Sequence, residues 1–120
     1  MELKEYQERA MATCMPSCEN YSYMMGNLVA EVGEFSGKVH KLQRKGLVEI
    51  QDGQIIPKMS FAEWTFHSGE LMKEAGDILW QLAGLCHVMG WSLENVGEGN
   101  LSKLTSRKER GVIDGDGDNR

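Results

Sequence analysis

The chain has 120 residues, the size of one ordinary domain, and we expect a single domain over residues 1–120. Its 18 acidic residues outnumber its 13 basic residues, and the net charge of −5 argues against a protein that binds nucleic acid through phosphates. No apolar run is long enough to span a bilayer, the N-terminus lacks an apolar signal region, and the three cysteines make an odd count. We therefore expect a cytoplasmic protein with reduced thiols and no membrane partner.

Apolar residues recur at helical spacing through most of the chain, which predicts a largely helical protein with four helices. The first helix is expected at about residues 2–14, because the residue before Pro16 is disfavoured in helical geometry. The second is expected at about 20–45 and should end at Gly46.

Strand-like alternation occurs only in the segment LVEIQDGQII. The Asp52-Gly53 dipeptide at its centre favours a tight turn, so we expect a short hairpin or ordered loop inserted at about residues 47–59. Ser60 and Glu63 then form a candidate capping box, which predicts that helical structure restarts near residue 61.

The third helix is strongly periodic from about residue 69 to residue 89, and Ser68-Gly69 is expected to interrupt the helical segment before it. Ser92 is a candidate cap for a last helix at about 93–109. The Gly- and Asp-rich tail at 111–120 predicts loop or disorder in the free protein.

Two stretches of the chain, LVAEVGEF and LMKEAGDI, share the pattern Leu-x-x-Glu-x-Gly-acid-apolar. On a helix, this spacing places Glu31 and Glu34 at the margin of one apolar face and Glu74 and Asp77 at the margin of another. Packing the two faces together would bring four carboxylates into one cleft, where they repel each other unless a cation is present. An acid pair on a single helix is usually only a solvated face, but the repeat favours a shared site.

Oxygen ligands alone indicate a hard metal ion, so we expect Mg²⁺ at this site, with Mn²⁺ as a possible substitute. A di-iron bundle is the rival metal site, but it needs Glu-x-x-His pairs, and neither acidic stretch has one. Gly33 and Gly76 occupy the same place in the two stretches, and a repeated glycine inside a helix predicts close backbone packing there.

With these motifs in place, the chain resembles the MazG-like nucleotide pyrophosphohydrolases of the all-α NTP pyrophosphatase superfamily. Glu31-Val-Gly-Glu34 and Glu74-Ala-Gly-Asp77 correspond to the ExxE and ExxD metal motifs of that family. Similar stretches are EYQERAMAT, GWSLENVGEGNLSKL with its N-x-x-K-L-x-x-R run, and RKERGVIDGDGDNR. Ala30 departs from the pattern, since many members carry a further glutamate there.

The resemblance implies an all-α fold like a four-helix bundle, assembly as a homodimer or dimer of dimers, and Mg²⁺-dependent hydrolysis of a (d)NTP to a (d)NMP and pyrophosphate, in the control of nucleotide pools. It assigns metal binding and catalysis to Glu31, Glu34, Glu74 and Asp77, and one of the four could act instead as the general base. The residues expected to bind the substrate phosphates are Lys38, Asn100, Lys103, Arg107, Arg110 and Arg120. Arg110 and Arg120 would close over the phosphates as the tail becomes ordered on binding.

The alternative hypothesis is a helical nucleotide-binding or interaction module that keeps the scaffold without catalysis. Such a module would bind a nucleotide without turning it over. The four acids favour the enzyme, because a scaffold alone has no need of their mutual repulsion.

Overall fold

A computed structural model describes all residues from 1 to 120 and contains four α-helices and one β-hairpin. The elements are α1 (Leu3–Met11), a short 3₁₀ turn (Pro16–Cys18), α2 (Tyr21–Arg44), β1 (Val48–Gln51), β2 (Gln54–Pro57), α3 (Phe61–Val88) and α4 (Leu93–Glu109). The predicted all-α class with an inserted hairpin is therefore confirmed. None of these helices combines the length and the apolar composition that a bilayer crossing requires.

Helices α2 and α3 form the main packing unit of the molecule. Met24, near the start of α2, lies against Gly84 near the end of α3, whereas Lys38 further along α2 pairs with Glu74 earlier in α3. The two helices therefore run antiparallel, as the short hairpin between them requires. This arrangement brings the two acidic stretches to the same level of the helix pair.

Helix α1 is attached to α3 and α4 by side-chain hydrogen bonds to the backbone. The Gln7 side-chain amide donates to the carbonyl oxygens of Ala83 (3.3 Å) and Trp91 (3.0 Å) and accepts from the Leu93 amide (2.9 Å). The Trp80 indole N–H on α3 donates to the Ala10 carbonyl oxygen at 3.2 Å. These bonds satisfy backbone groups at helix ends and hold the N-terminal helix beside the α2–α3 pair.

The predicted helix starts are confirmed, but the predicted interruption of α3 is wrong. Ser60 forms the capping box with Glu63, and the Ser92 hydroxyl accepts from the Asn95 amide at the start of α4. Ser68 and Gly69 lie inside one continuous helix of 28 residues. A glycine inside a helix costs only about 1 kcal/mol relative to alanine, and packing against α2 along α3 outweighs that cost.

The hairpin has a two-residue turn at Asp52 and Gly53, with φ values of 50° and 76°. Both residues are in the left-handed region, which matches the type I′ turn that Asp-Gly favours. Gln51 pairs with Gln54 in antiparallel register, and Val48 is almost completely buried against the rest of the chain. The turn chemistry thus fixes the register of the insertion, and of the two predicted alternatives the hairpin is confirmed.

The predicted close packing at Gly33 and Gly76 is wrong. A Cβ added at either position would meet no atom within 4 Å, because both residues lie on exposed parts of their helices. The close approach occurs instead at Gly84, where a Cβ would collide with the Sδ and Cε atoms of Met24. Met24 has no exposed surface, so its side chain has no free space into which to move.

Replacing Gly84 with alanine should destabilise the protein by about 1–3 kcal/mol, because the new methyl group overpacks the contact with Met24. Gly99 in α4 is the matched control, since a Cβ there meets nothing within 4 Å, and Gly99→Ala should stabilise by up to about 1 kcal/mol. Urea unfolding followed by circular dichroism measures both effects. Equal free energies of unfolding for the two variants would contradict the packing described here.

A candidate metal centre between helices α2 and α3

Three of the four predicted carboxylates converge between the two long helices. One carboxylate oxygen from each of Glu31, Glu74 and Asp77 lies within 4.8 Å of the other two. Glu74 and Asp77 are three residues apart on α3 and therefore share one edge of that helix, which faces Glu31 on α2. We call these three residues the acid cluster.

The acid cluster contains two carboxylate oxygens that lack a partner within the chain. Glu74 is only 7% exposed, and Glu31 is half-buried. The Oε2 atoms of both residues are buried and accept no hydrogen bond. A buried, unpaired oxygen of this kind costs about 1–3 kcal/mol or more when the group is charged. A hard divalent cation would satisfy such an all-oxygen donor set, so these residues fit Mg²⁺ or Mn²⁺.

Glu34 lies beside the acid cluster but does not join it. It is exposed on α2, and its charge helps to raise the pKa of Glu31. Glu34 follows Glu31 at the same spacing as Asp77 follows Glu74, but only the oxygens of Glu31, Glu74 and Asp77 all lie within 4.8 Å of one another. The sequence pattern predicted four converging ligands, whereas the structure brings three together and places the fourth at their margin.

Lys38 is the cation nearest to the acid cluster. Its ammonium pairs with Glu74 Oε1, and this hydrogen bond raises the pKa of Lys38. Lys38 lies one turn after Glu34, on the side of α2 that faces α3. The ammonium therefore offsets part of the negative charge of the acid cluster and leaves Glu74 Oε2 unpaired.

The charge of the acid cluster affects Tyr6 on the N-terminal helix. The pKa of the Tyr6 phenol is raised by its burial and, in addition, by the negative charge of Asp77. Tyr6 packs against the core formed by Ala83, Cys86 and Leu93. The sequence motifs did not single it out, although it belongs to the EYQERAMAT stretch on which the family resemblance partly rests.

Replacing Glu31 with glutamine should stabilise the metal-free protein near neutral pH, by a few degrees in Tm. Burial and then the charges of Glu34, Asp77 and Glu74 raise the pKa of Glu31. The stability that a protonated Glu31 contributes is complete below the ordinary glutamate pKa and is lost as pH rises through the raised value.

The Tm of the metal-free wild type should thus increase as pH falls from neutral towards the ordinary glutamate pKa, and this increase should be smaller in Glu31→Gln. Thermal unfolding in a chelator at several pH values measures the difference. Glu98→Gln on the exposed face of α4 is the control and should behave as the wild type. An identical pH dependence in Glu31→Gln and the wild type would contradict the account.

The predicted phosphate-binding residues on α4 are engaged with the C-terminal tail. Arg107 is only 4% exposed, and its Nη2 donates to the Asp118 carbonyl oxygen at 2.9 Å and to Asp118 Oδ1 at 3.2 Å. Lys103 pairs with the same carboxylate at 3.2 Å. Hydrogen bonds from Lys103 and Arg107 lower the pKa of Asp118. A buried guanidinium requires acceptors; the tail supplies them to Nη2, whereas the buried Nε has no partner.

The remaining predicted residues also lie at this end of the molecule. Arg110 donates to the Arg120 carbonyl oxygen at 2.7 Å, and Arg120 donates to the Val112 carbonyl oxygen at 3.0 Å. Asn100 is exposed on α4. The tail is thus a loop, as one of the two predicted alternatives had it, and it is already folded against α4 through a series of turns without a bound ligand. Within one chain, no hydrogen bond or ion pair connects these residues to the acid cluster.

The comparisons with known proteins agree with the geometry. The sequence model of the MazG nucleotide pyrophosphohydrolase domain matches residues 19–112, a range that contains the hairpin, α2, α3, α4 and all four predicted acids. The Gene 37 protein of Mycobacterium phage L5 is 39% identical to this chain over 104 residues, which is 87% of this chain and 80% of the phage protein. No solved structure matches this chain.

Proposed function

Because this chain belongs to the MazG nucleotide pyrophosphohydrolase family, we propose that it is a Mg²⁺-dependent enzyme that hydrolyses a (d)NTP to a (d)NMP and pyrophosphate, in the control of nucleotide pools. The observation that supports the proposal most is the convergence of Glu31, Glu74 and Asp77 with two buried oxygens left unpaired. Mn²⁺ is the expected substitute, since the same oxygen donors suit both ions.

In this proposal, Glu31, Glu74 and Asp77 hold the metal ion, and Glu34 completes the set from the margin of the acid cluster. A bound Mg²⁺ supplies neutralisation of charge on the phosphate oxygens and a lowered pKa for an attacking water. The buried Glu74 is the most rigidly held ligand, whereas the exposed Asp77 and Glu34 lie where substrate and water can enter.

Lys38 is proposed to contact the substrate directly. Its ammonium forms an ion pair with Glu74, a member of the acid cluster. When a metal ion neutralises the charge of Glu74, the ammonium can bind a phosphate oxygen instead. Lys38 would then hold the negative charge that develops as the phosphoanhydride bond breaks.

A panel of ribo- and deoxyribonucleoside triphosphates, each assayed with and without Mg²⁺, tests the proposed reaction. Monophosphate and pyrophosphate should appear in equal amounts, only with the metal ion present. Binding of a nucleotide without release of either product would contradict the enzyme and favour a non-catalytic nucleotide-binding module. Release of inorganic phosphate instead of pyrophosphate would contradict the assigned bond cleavage.

The partner that we propose is a second copy of this chain, forming a homodimer or a dimer of dimers. The radius of gyration is 17.8 Å, whereas a compact domain of this length has about 14 Å. Exposed apolar side chains follow one another at helical spacing along α2 and α3: Met25, Val29, Val32, Met72, Leu79 and Leu82. A surface of this kind is typical of a subunit interface.

Replacing Val32 with glutamate should raise the dissociation constant of this assembly at least about tenfold. The new carboxylate would lose its water in the interface and gain no partner there. Ile113→Glu is the control, since Ile113 is 48% exposed but lies in the tail. Sedimentation velocity over a range of concentrations measures the assembly. A wild type that sediments as a monomer at every concentration would contradict the proposal.

A further inference from the structure

A second feature of the α2–α3 groove is a pocket of about 280 Å³ beside the acid cluster. It lies between the C-terminal half of α2 and the N-terminal half of α3. Its floor is apolar and consists of Leu42, Leu47 and Leu71, of which Leu42 and Leu71 are buried. Phe66 forms one wall, although 64% of its surface is exposed. An aromatic ring left this open above an apolar floor is suited to stack on a planar ligand.

The polar rim of the pocket is rich in hydrogen-bond donors. Lys41 and Lys45 on α2 line it and form no ion pair within the chain. Glu70 on α3 is the one carboxylate in the lining, and its hydrogen bond with Lys73, at 2.8 Å, lowers its pKa. An ammonium can only donate and an ionised carboxylate can only accept, so the pocket, which Lys38 also lines, has three ammonium donors and one carboxylate acceptor of fixed character.

The pocket and the acid cluster are connected through Lys38. This residue lines the pocket and pairs with Glu74 of the cluster. His67, which also lines the pocket, precedes Glu74 by seven residues on α3, which corresponds to about 10 Å along the helix. This separation is comparable with the span of a nucleotide from its α-phosphate to the far edge of its base.

We propose that this pocket binds the base of the substrate nucleotide and selects bases that carry a carbonyl oxygen beside a ring N–H, namely guanine, uracil and thymine. The proposal rests on the proposed function, which places the phosphates at the acid cluster. The base stacks on Phe66, its carbonyl oxygen accepts from Lys41 or Lys45, and its ring N–H donates to Glu70. With the phosphate held at the acid cluster and the ring stacked on Phe66, adenine and cytosine in the orientation of guanine and uracil would present an amino group to the ammonium and a bare ring nitrogen to the carboxylate, and both contacts would be repulsive.

The apolar floor favours a base over the pyrophosphate group as the occupant. A polyphosphate would place several charges against Leu42, Leu47 and Leu71. The anion would lose water there, and the leucine side chains offer no hydrogen bond in return. A base buries apolar surface there and keeps its polar edge at the rim. The lysines alone could bind either the base or pyrophosphate, and titrations with nucleoside monophosphates and with pyrophosphate distinguish the two.

Equilibrium titration of the full-length protein with GMP, UMP, AMP, CMP and pyrophosphate, in the presence of Mg²⁺, tests the proposal. GMP and UMP should bind at least about tenfold more tightly than AMP and CMP. Phe66→Ala should weaken GMP binding by about tenfold and leave pyrophosphate binding unchanged, since stacking is lost and phosphate contacts are kept. Phe61→Ala is the matched control, because Phe61 is 86% exposed outside the pocket, and it should change neither.

Glu70→Gln provides a second test that does not depend on the aromatic wall. The amide can donate as well as accept, so the preference of GMP over AMP should fall at least about fivefold. Unchanged nucleoside monophosphate binding in both variants would overturn the proposal that the pocket binds the base, and it would not contradict the proposed hydrolase reaction. Weaker pyrophosphate binding in Phe66→Ala would overturn the proposal and would indicate that the pocket binds pyrophosphate, the leaving group, in place of the base. Selective GMP binding without any turnover would support the pocket and contradict the proposed reaction.

Discussion

Replacing Glu74 with glutamine is expected to lower the rate of pyrophosphate release by about a thousandfold or more. Glu74 is the most buried member of the acid cluster, and one of its two oxygens has no hydrogen-bond partner. In the proposed function, loss of its charge removes a metal ligand, and a metal ion supplies several kcal/mol of transition-state stabilisation in phosphoryl chemistry. About 4 kcal/mol corresponds to a thousandfold in rate. The turnover number at saturating nucleotide and Mg²⁺ is the quantity to measure.

The glutamine variant separates chemistry from folding. The amide keeps the volume of the glutamate side chain, and its oxygen can still accept the hydrogen bond from Lys38. Helical content measured by circular dichroism should therefore stay at the wild-type level. Glu98→Gln, which removes an exposed acid on α4, is the control and should keep full activity. A Glu74→Gln enzyme within tenfold of the wild-type rate would contradict a ligand role for Glu74.

Replacing Lys38 with methionine is expected to lower kcat/KM by about a hundredfold without weakening metal binding. The ammonium pairs with Glu74, so it competes with a metal ion for that carboxylate before substrate arrives. Methionine removes the competitor and also the charged donor to the phosphate, which is worth about 1.5–3 kcal/mol. Affinity for Mn²⁺ should thus stay equal or increase while catalysis falls.

Steady-state kinetics and a direct Mn²⁺ titration on the same preparation distinguish these two effects. Lys108→Met is the control, because Lys108 is an exposed residue of α4 without an ion pair. It should change neither quantity. A Lys38→Met protein that loses metal affinity in proportion to its activity would show that Lys38 supports the carboxylates and does not contact the substrate.

The helix pair and most of the acid cluster follow from local sequence. The repeated pattern fixes the angular position of each acid on its helix, and this is sufficient to place Glu31, Glu74 and Asp77 on facing edges. The same spacing also predicted Glu34 in the cluster, so its place at the margin depends on packing that the repeated pattern does not specify. The capping box at Ser60 and the Asp52-Gly53 turn were also predictable, because their hydrogen bonds involve near neighbours in the chain.

Contacts between residues that are distant in the sequence were not predictable. Gly33 and Gly76 repeat in the sequence yet face open space, whereas Gly84 has no motif and contacts the buried Met24. The contact between Arg107 and Asp118 requires a sequence of turns after α4 that composition does not specify. The pocket beside Phe66 depends on the register in which α2 meets α3, and this register arises from packing along both helices.

In the proposed function, two helices of one chain hold a divalent ion through Glu31, Glu74 and Asp77. Calorimetric titration of Mn²⁺ into the wild type and into Glu31→Gln, Glu74→Gln, Asp77→Asn and Glu98→Gln tests it most directly. We predict that each of the three cluster variants binds Mn²⁺ at least about tenfold more weakly than the wild type, while Glu98→Gln binds it equally well. Wild-type affinity in all three cluster variants would contradict the claim.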